Sequence, residues 1–493
     1  MERPSVVVVG AGIAGLTAAW EISGGRDGPS DATPRVEVID AAARVGGSLA
    51  TAEFAGRTID LGADGFLGRR REALTLVDEL GLHDRLEAIG ARGASLWLRG
   101  ALHELPDGLV LGVPTNLRAL TRFKGVSWRA HWAARRDTYF PRRVTVGDDV
   151  TIGDLTRAKL GAELSYSLIE PIIGGVQAGR IDELSAQSVF PALWEAARGG
   201  GSLMKALRAV AATSSEAPGN TPAPAPLFFT LVDGVGSLPA ELERRLIERD
   251  VVVRRGVAVT ALRRTPAGGY PWEVDTRTTT TPANAVVLAT PANVAGELLG
   301  AVDGALAQLR EVRSADAAII TLSLSRRSLV LPERGTGVLI PLNSTWTGSS
   351  RDGAGPMMVT GVTFLDRKWP HLVRENDVVL RAHVGRSDDG RWAEMDDETL
   401  TRRVTAEVAS VLPQWGEVYE SRVQRWPLGL PQYTVGHAQR VERARAAAAA
   451  YSVALAGNAY DGVGVPASIG SGQRAGRETL SALGPRRDGP SNQ

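Results

Sequence analysis

A run of valines, Val6-Val7-Val8-Val9, passes directly into Gly10-Ala11-Gly12-Ile13-Ala14-Gly15 and then into Leu16-Thr17-Ala18-Ala19-Trp20. A buried strand, a glycine turn and a helix in immediate succession begin a doubly wound βαβ unit, and each glycine meets a separate need. Gly10 permits the tight turn, Gly12 lets the backbone approach a pyrophosphate, and Gly15 lets the helix pack closely on the strand. The helix N-terminus then presents unpaired N–H groups and the positive end of its dipole to phosphates. A glycine turn made for structure alone would give the same letters. The strand before it and the helix after it favour a dinucleotide site.

After the helix, Ser23-Gly24-Gly25-Arg26-Asp27-Gly28-Pro29-Ser30-Asp31 is a polar loop rich in breakers. Arg35-Val36-Glu37-Val38-Ile39-Asp40 then reads as a second strand ending in an acid. Asp40 is placed to accept hydrogen bonds from a ribose hydroxyl, and its charge disfavours a 2′-phosphate. The plainer alternative is a solvated strand end. Arg44, two residues before the pair Gly46-Gly47, exceeds what a plain nicotinamide domain needs. It suits a longer cofactor, with the arginine on a phosphate and the glycines admitting close backbone contact. A further strand, Thr58-Ile59-Asp60, leads into the small-residue turn Gly62-Ala63-Asp64-Gly65.

Composition narrows the class. A chain of 493 residues exceeds one hydrophobic core, so two or three domains are expected. A net charge of +1 gives no global case for nucleic acid, and the absence of cysteine excludes disulfides, thiolate metal sites and iron–sulfur clusters. No secretory leader and no apolar run of about 18 residues is visible, so a cytoplasmic protein without a membrane span is expected. The histidines (His83, His103, His131, His371, His383, His437) lack metal-ligand spacing and read as surface or core residues, so no metal site is expected.

Taken in order, these motifs resemble the FAD-binding half of the flavin amine oxidase superfamily. The tail agrees: Tyr451-Ser452-Val453-Ala454-Leu455-Ala456-Gly457-Asn458 reads as a strand and turn, followed by a loop through Val463-Gly464-Val465-Pro466 and a helix from Ser468. The resemblance implies FAD as cofactor and an α/β fold, a Rossmann-type FAD domain with a discontinuous substrate domain of mixed sheet and helices, plus a helical insertion. It implies cofactor contacts from Gly10, Ala11, Gly12, Ile13, Ala14 and Gly15, and from Asp40, Ala41, Arg44, Gly46, Gly47 and Ser48. Gly62, Ala63, Asp64, Gly65, Val259, Trp426, Gly457, Val463, Gly464 and Val465 complete the set, with Val259 meeting the adenine through its backbone. A second helix N-terminus suits the flavin pyrimidine edge, where reduction places negative charge. No second strand–glycine turn–helix unit is present, which favours oxygen or a quinone over a nicotinamide as redox partner.

Within that superfamily, Glu170-Pro171, Gly174-Gly175, Gly179, Leu184-Ser185 and Phe190-Pro191 resemble the porphyrinogen oxidase signature in that order. Gly100-Ala101-Leu102-His103-Glu104-Leu105-Pro106 and Arg425-Trp426-Pro427 match the same family. The resemblance implies oxidation of a porphyrinogen in three two-electron rounds, with oxygen reduced to hydrogen peroxide and the flavin carrying the chemistry. No catalytic side chain is therefore nominated. Coproporphyrinogen III, with four propionates, is favoured over protoporphyrinogen IX, with two, and hand-off of the product to a ferrochelatase is implied. Gly174 and Gly175 would leave room for a flat macrocycle, or form a helix-breaking turn. Ala94 stands where parts of the family carry a basic residue, and Asp64 where some relatives are basic, so the clamp for the substrate carboxylates is unassigned.

Between positions 118 and 143, Arg118, Arg122, Lys124, Arg129, Arg135, Arg136, Arg142 and Arg143 face only Asp137, with Trp128, Trp132, Tyr139 and Phe140 interleaved. A weak membrane-surface contact, steering of an acidic substrate, and a merely solvated helix face all fit. The expected organisation is 1–95, 227–300 and 426–484 for the FAD domain, 96–226 helical and substrate-binding, 301–425 the substrate sheet, and 485–493 a disordered tail. Rival readings are an amine oxidase, disfavoured because positions 313–326 hold no lysine, an apolar desaturase, and a non-catalytic FAD-binding protein.

Overall fold

The computed structural model describes residues 3–144, 147–213, 226–265, 269–346 and 355–484. The Ser/Pro/Ala-rich stretch from Ser214 to Pro226, whose composition reads as a loop crossing between domains, falls almost wholly outside them, and the tail after Gly484 does so entirely.

The valine run forms the strand Ser5–Val9 at the centre of a five-stranded, all-parallel sheet. Its neighbours, outward in each direction, are Arg35–Asp40 then Val252–Arg255, and Ala285–Leu288 then Val453–Leu455. Val6 and Val8 face one apolar core, Val7 and Val9 the other. Burial on both faces explains why this strand is continuously apolar rather than alternating. Helices cover both sides, among them Ile13–Ile22 and Val465–Leu483, which pack on each other. Their close approach depends on glycine: a Cβ on Gly472 would lie 2.2 Å from the Ala14 carbonyl oxygen.

A seven-stranded sheet forms the second layer, in the order Val418–Pro431, Ser314–Ser325, Asp377–Val384, Val359–Phe364, Gly337–Leu339, Ser95–Leu98, Ala101–Glu104. Alternation sorts its faces. Leu380, Ala382 and Val384 join the core under the helix Asp397–Val411, whereas Arg381 and His383 point to the opposite face, toward the parallel-sheet domain. Helices between Leu117 and Thr213 enclose a separate core. No described helix is long and apolar enough to cross a membrane.

Three expectations need correction. Gly174 and Gly175 do not break a helix; they lie inside Glu170–Gln177, which ends only at Ala178 in the left-handed conformation (φ 48°). The last helix starts at Val465 rather than Ser468, because Pro466 sits in its first turn, where a missing N–H costs nothing. The division at 425/426 falls inside one long strand, Val418–Pro431. Pro427 and Gly429 hide that strand in the sequence, but it lies at the sheet edge, where proline is tolerated, and a register shift opposite Ala315 and Ala317 absorbs the irregularity.

Candidate functional site

The opening turn shows a division of labour among its glycines. Gly10 has φ 106°, and a Cβ there would lie 2.5 Å from the Ala289 carbonyl oxygen. A Cβ on Gly15 would lie 1.8 Å from the Gly10 oxygen. At Gly12 a Cβ would meet nothing within 4 Å. Two glycines are thus required by packing and the third faces open space at the N-terminus of Ile13–Ile22.

The later motifs converge on this turn. The Gly46 N–H donates to the Ala11 carbonyl at 2.8 Å, and Gly47 packs against the Gly12 Cα. Asp40 accepts from the Ala11 and Ala42 N–H groups at 2.5 and 2.7 Å, bracing the end of the second strand against the turn. The Arg44 guanidinium folds onto the carbonyls of Val45, Gly47 and Leu49 and lies 5.5 Å from the Trp426 ring centroid. Trp426 donates to the Leu61 carbonyl at 3.0 Å, and Gly62 packs so tightly that a Cβ would lie 1.9 Å from the Ser48 oxygen. Ser48, Gly62 and Trp426 therefore form one wall. Val259 opens the strand Val259–Arg264, just beyond Val257, whose N–H reaches the Asp40 carbonyl at 2.9 Å.

From the far end of the chain, Gly457 (φ 127°) and Gly464 (φ 100°) also face open space. Gly457 donates to the Ser471 hydroxyl at 3.0 Å, and Gly464 caps the helix that starts at Val465. Val463 is half-buried in the intervening loop. Two helix N-termini and their glycine-lined openings thus flank the carboxyl edge of a parallel sheet, where cofactors of doubly wound folds lie. These residues fit an extended dinucleotide such as FAD: a backbone cradle that side chains would fill, an acid at the end of the second strand beside it, and a second positive dipole end.

Sequence reasoning missed a charged cluster on the inner face of the large sheet. Asp64 accepts from Lys368 at 2.8 Å and from the Trp369 indole at 3.4 Å, and Arg381 approaches its carboxylate at 3.3 Å. Despite desolvation, the two cations hold the Asp64 carboxyl below the usual carboxylate range. Arg381, almost fully buried, also donates to the Gly62 carbonyl at 2.5 Å. His383, two residues along the strand, has its pKa pushed down to about 3 by desolvation and then by Arg381, so it stays neutral. The alternation of Arg381 and His383 between apolar residues was the available signal. No sequence signal pairs them with Asp64.

Gly174 and Gly175 sit where the helix Glu170–Gln177 crosses the large sheet. A Cβ on Gly175 would meet only Leu339, at 3.6 Å. Among the described residues no group of three or more His, Cys, Asp or Glu side chains could hold a metal.

The sequence matches the model of the family described as flavin containing amine oxidoreductase over residues 13–480. It is 30% identical to the coproporphyrinogen III oxidase of Bacillus subtilis (strain 168) over 486 residues, covering 98% of this chain and 99% of that one. Identity to the coproporphyrinogen III oxidase of Staphylococcus aureus (strain NCTC 8325 / PS 47) is 26% over 482 residues, covering 97% and 99%. A crystal structure of a provisionally assigned protoporphyrinogen oxidase from Exiguobacterium sp. 255-15 superposes with a TM-score of 0.82 at 28% identity, covering 98% and 99% of the two chains. With the glycine cradle in place and the likeness running along the whole chain, the protein belongs to the flavin containing amine oxidoreductase family.

Proposed function

We propose that the protein is an FAD-dependent porphyrinogen oxidase, with coproporphyrinogen III as its preferred substrate, coproporphyrin III as product and oxygen as electron acceptor, releasing hydrogen peroxide. The observation that carries this reading is end-to-end relatedness to coproporphyrinogen III oxidases on a fold whose glycine cradle accepts FAD. A bound FAD supplies the two-electron acceptor for each of three rounds. The chain's own residues bind and orient. The turn of Gly10, Gly12 and Gly15 cradles the phosphates, Asp40 meets the ribose, and the N-terminus at Val465 favours negative charge on the flavin. Lys368 and Arg381 outnumber Asp64 and make the inner sheet face cationic, and His383 beside them stays neutral and adds no charge. Gly174 and Gly175 leave the helix flat where a macrocycle would lie.

Two finer elements belong to this reading. The enzyme works in the cytoplasm and touches the membrane surface weakly through the basic aromatic helix, and its product passes to a ferrochelatase. The helix Trp128–Tyr139 supports surface contact: Trp128, Trp132 and Tyr139 are 72%, 56% and 64% exposed at helical spacing, with Phe140 following at 79%. Its one acid, Asp137, is buried and spent on Ser202 and the Met204 N–H, which leaves the exposed face basic.

Purified holoenzyme given coproporphyrinogen III in air should develop porphyrin fluorescence while consuming oxygen, with a higher kcat/KM than for protoporphyrinogen IX. A flavin that an amine reduces, with no fluorescence rise from either porphyrinogen, overturns the reading.

A further inference from the structure

The strand Asp377–Val384 ends at Gly385, whose φ is 107° and where a Cβ would lie 2.5 Å from the Asp316 carbonyl oxygen. Only glycine fits there, so the chain must leave the sheet at this point. It docks at once on the end of the Glu170–Gln177 helix, where the Ser387 N–H donates to the Ala178 carbonyl at 2.7 Å. Arg386 lies between these two fixed points, half-buried.

Its guanidinium carries five N–H donors, and the described residues use one: Nη2 donates to the Ile340 carbonyl at 3.2 Å. The acids around it are already engaged. Glu170 accepts from the Ile181 N–H and lies 3.3 Å from Arg180, Asp388 pairs with Arg180 at 2.7 Å, and Asp389 is held by both arms of Arg391. Among the described residues no carboxylate lies within 4 Å of Arg386, and desolvation lowers its pKa. Glu170, Asp388 and Asp389 attract it only from beyond 4 Å, and a desolvated guanidinium without a contacting counter-ion is costly; anions are what its fork-shaped donor set recognises.

We propose that Arg386 anchors a carboxylate of the substrate beside the C-terminal end of the Glu170–Gln177 helix, where that helix meets the seven-stranded sheet. This rests on the porphyrinogen reading. The propionates of such a macrocycle project from its periphery, so a cation at that helix end meets them while Gly174 and Gly175 clear space for the ring. Arg386 is thus a positioning residue that selects for acidic side chains and supplies the clamp left open by Ala94.

The test compares wild-type holoenzyme with Arg386→Gln and Arg386→Lys, using coproporphyrinogen III and its tetramethyl ester, with flavin content and melting temperature recorded for each variant. Arg386→Gln should raise KM for the tetra-acid roughly tenfold or more, as for loss of a charge-assisted pair, with a much smaller change in kcat. Arg386→Lys, which keeps charge but loses the fork, should fall between, and it carries the test if the glutamine variant does not fold. All three enzymes should share one KM for the ester. An unchanged KM for the tetra-acid, or equal losses for acid and ester, overturns the proposal. If wild type oxidises no porphyrinogen, the parent reading fails. Fluorescence titration with coproporphyrin III then decides: binding that Arg386→Gln abolishes for the acid but not the ester supports the anchor, and absence of binding overturns it.

Discussion

Lys368 donates to Asp64 at 2.8 Å across a sequence separation of 304 residues, pinning the small-residue turn of the cofactor domain to the inner face of the large sheet. Arg381 approaches the same carboxylate at 3.3 Å and donates to Gly62 in the same turn. One acid therefore holds two cations, and the arrangement is asymmetric.

That asymmetry predicts the order of damage. Asp64→Asn leaves Lys368 and Arg381 desolvated without a counter-charge and should destabilise the protein by about 3–5 kcal/mol. Lys368→Met leaves the Asp64–Arg381 pair and should cost less. The double variant should be more stable than Asp64→Asn alone, because removing Lys368 relieves the uncompensated charge. Thermal unfolding of the four holoproteins checks this, and a double variant less stable than Asp64→Asn contradicts it.

A second pair separates cofactor binding from folding. Gly15→Ala forces a Cβ to within 1.8 Å of the Gly10 oxygen and should destabilise even the apoprotein, by about 1–3 kcal/mol or more. Gly12→Ala projects a methyl group into open space with φ −66°, so the apoprotein should melt within about 1 kcal/mol of wild type. Its flavin content should nonetheless collapse, because on the proposed reading the methyl fills the open space left for the pyrophosphate. Bound flavin absorbance per chain and apoprotein melting curves measure the two effects independently.

Asp60 predicts a pH dependence. It is buried, accepts from the Val235 and Gly236 N–H groups at 3.0 Å each, and has its carboxyl pKa pushed up to about 7 from 3.8, chiefly by desolvation. Between these values the folded state keeps a proton that the unfolded state has lost. This group's contribution to stability is therefore fully present below the unfolded pKa and declines as pH rises toward 7. Asp60→Asn cannot titrate, so the wild-type-minus-variant difference in unfolding free energy should shrink as pH is raised from 4.5 to 7. A difference that stays constant across this range rules out the assignment.

The cofactor half was legible because its requirements are local. Gly10, Gly12 and Gly15 act within one turn, and their spacing alone conveys a strand, a tight turn and a helix. Asp40 and the Gly46-Gly47 pair follow on the next strand of the same unit. The charged cluster was not legible, because Asp64, Lys368 and Arg381 come from three distant segments that only tertiary packing brings together. The strand Val418–Pro431 was missed for a different reason. Its proline and glycine oppose strand formation locally, and the edge position that tolerates them is a property of the sheet.

The basic aromatic helix gives the last prediction. Trp128 and Trp132 lie one helical turn apart and Tyr139 two turns further, all exposed, with Arg129 and Arg135 on the same open surface and Asp137 turned inward. Aromatic rings at an interface and arginines above anionic headgroups act together, so wild-type protein should co-sediment with vesicles rich in phosphatidylglycerol at low salt and dissociate at high salt. A solvated face would give no binding to either charged or neutral vesicles. Trp128→Ser with Trp132→Ser should abolish sedimentation while flavin content and turnover of soluble substrate stay unchanged, because the replaced rings already stand in solvent. Substrate steering separates from membrane contact in the same experiment. If Arg129→Gln with Arg135→Gln lowers kcat/KM in a salt-dependent way but wild type stays in the supernatant, the patch draws in the acidic substrate and the membrane contact is refuted.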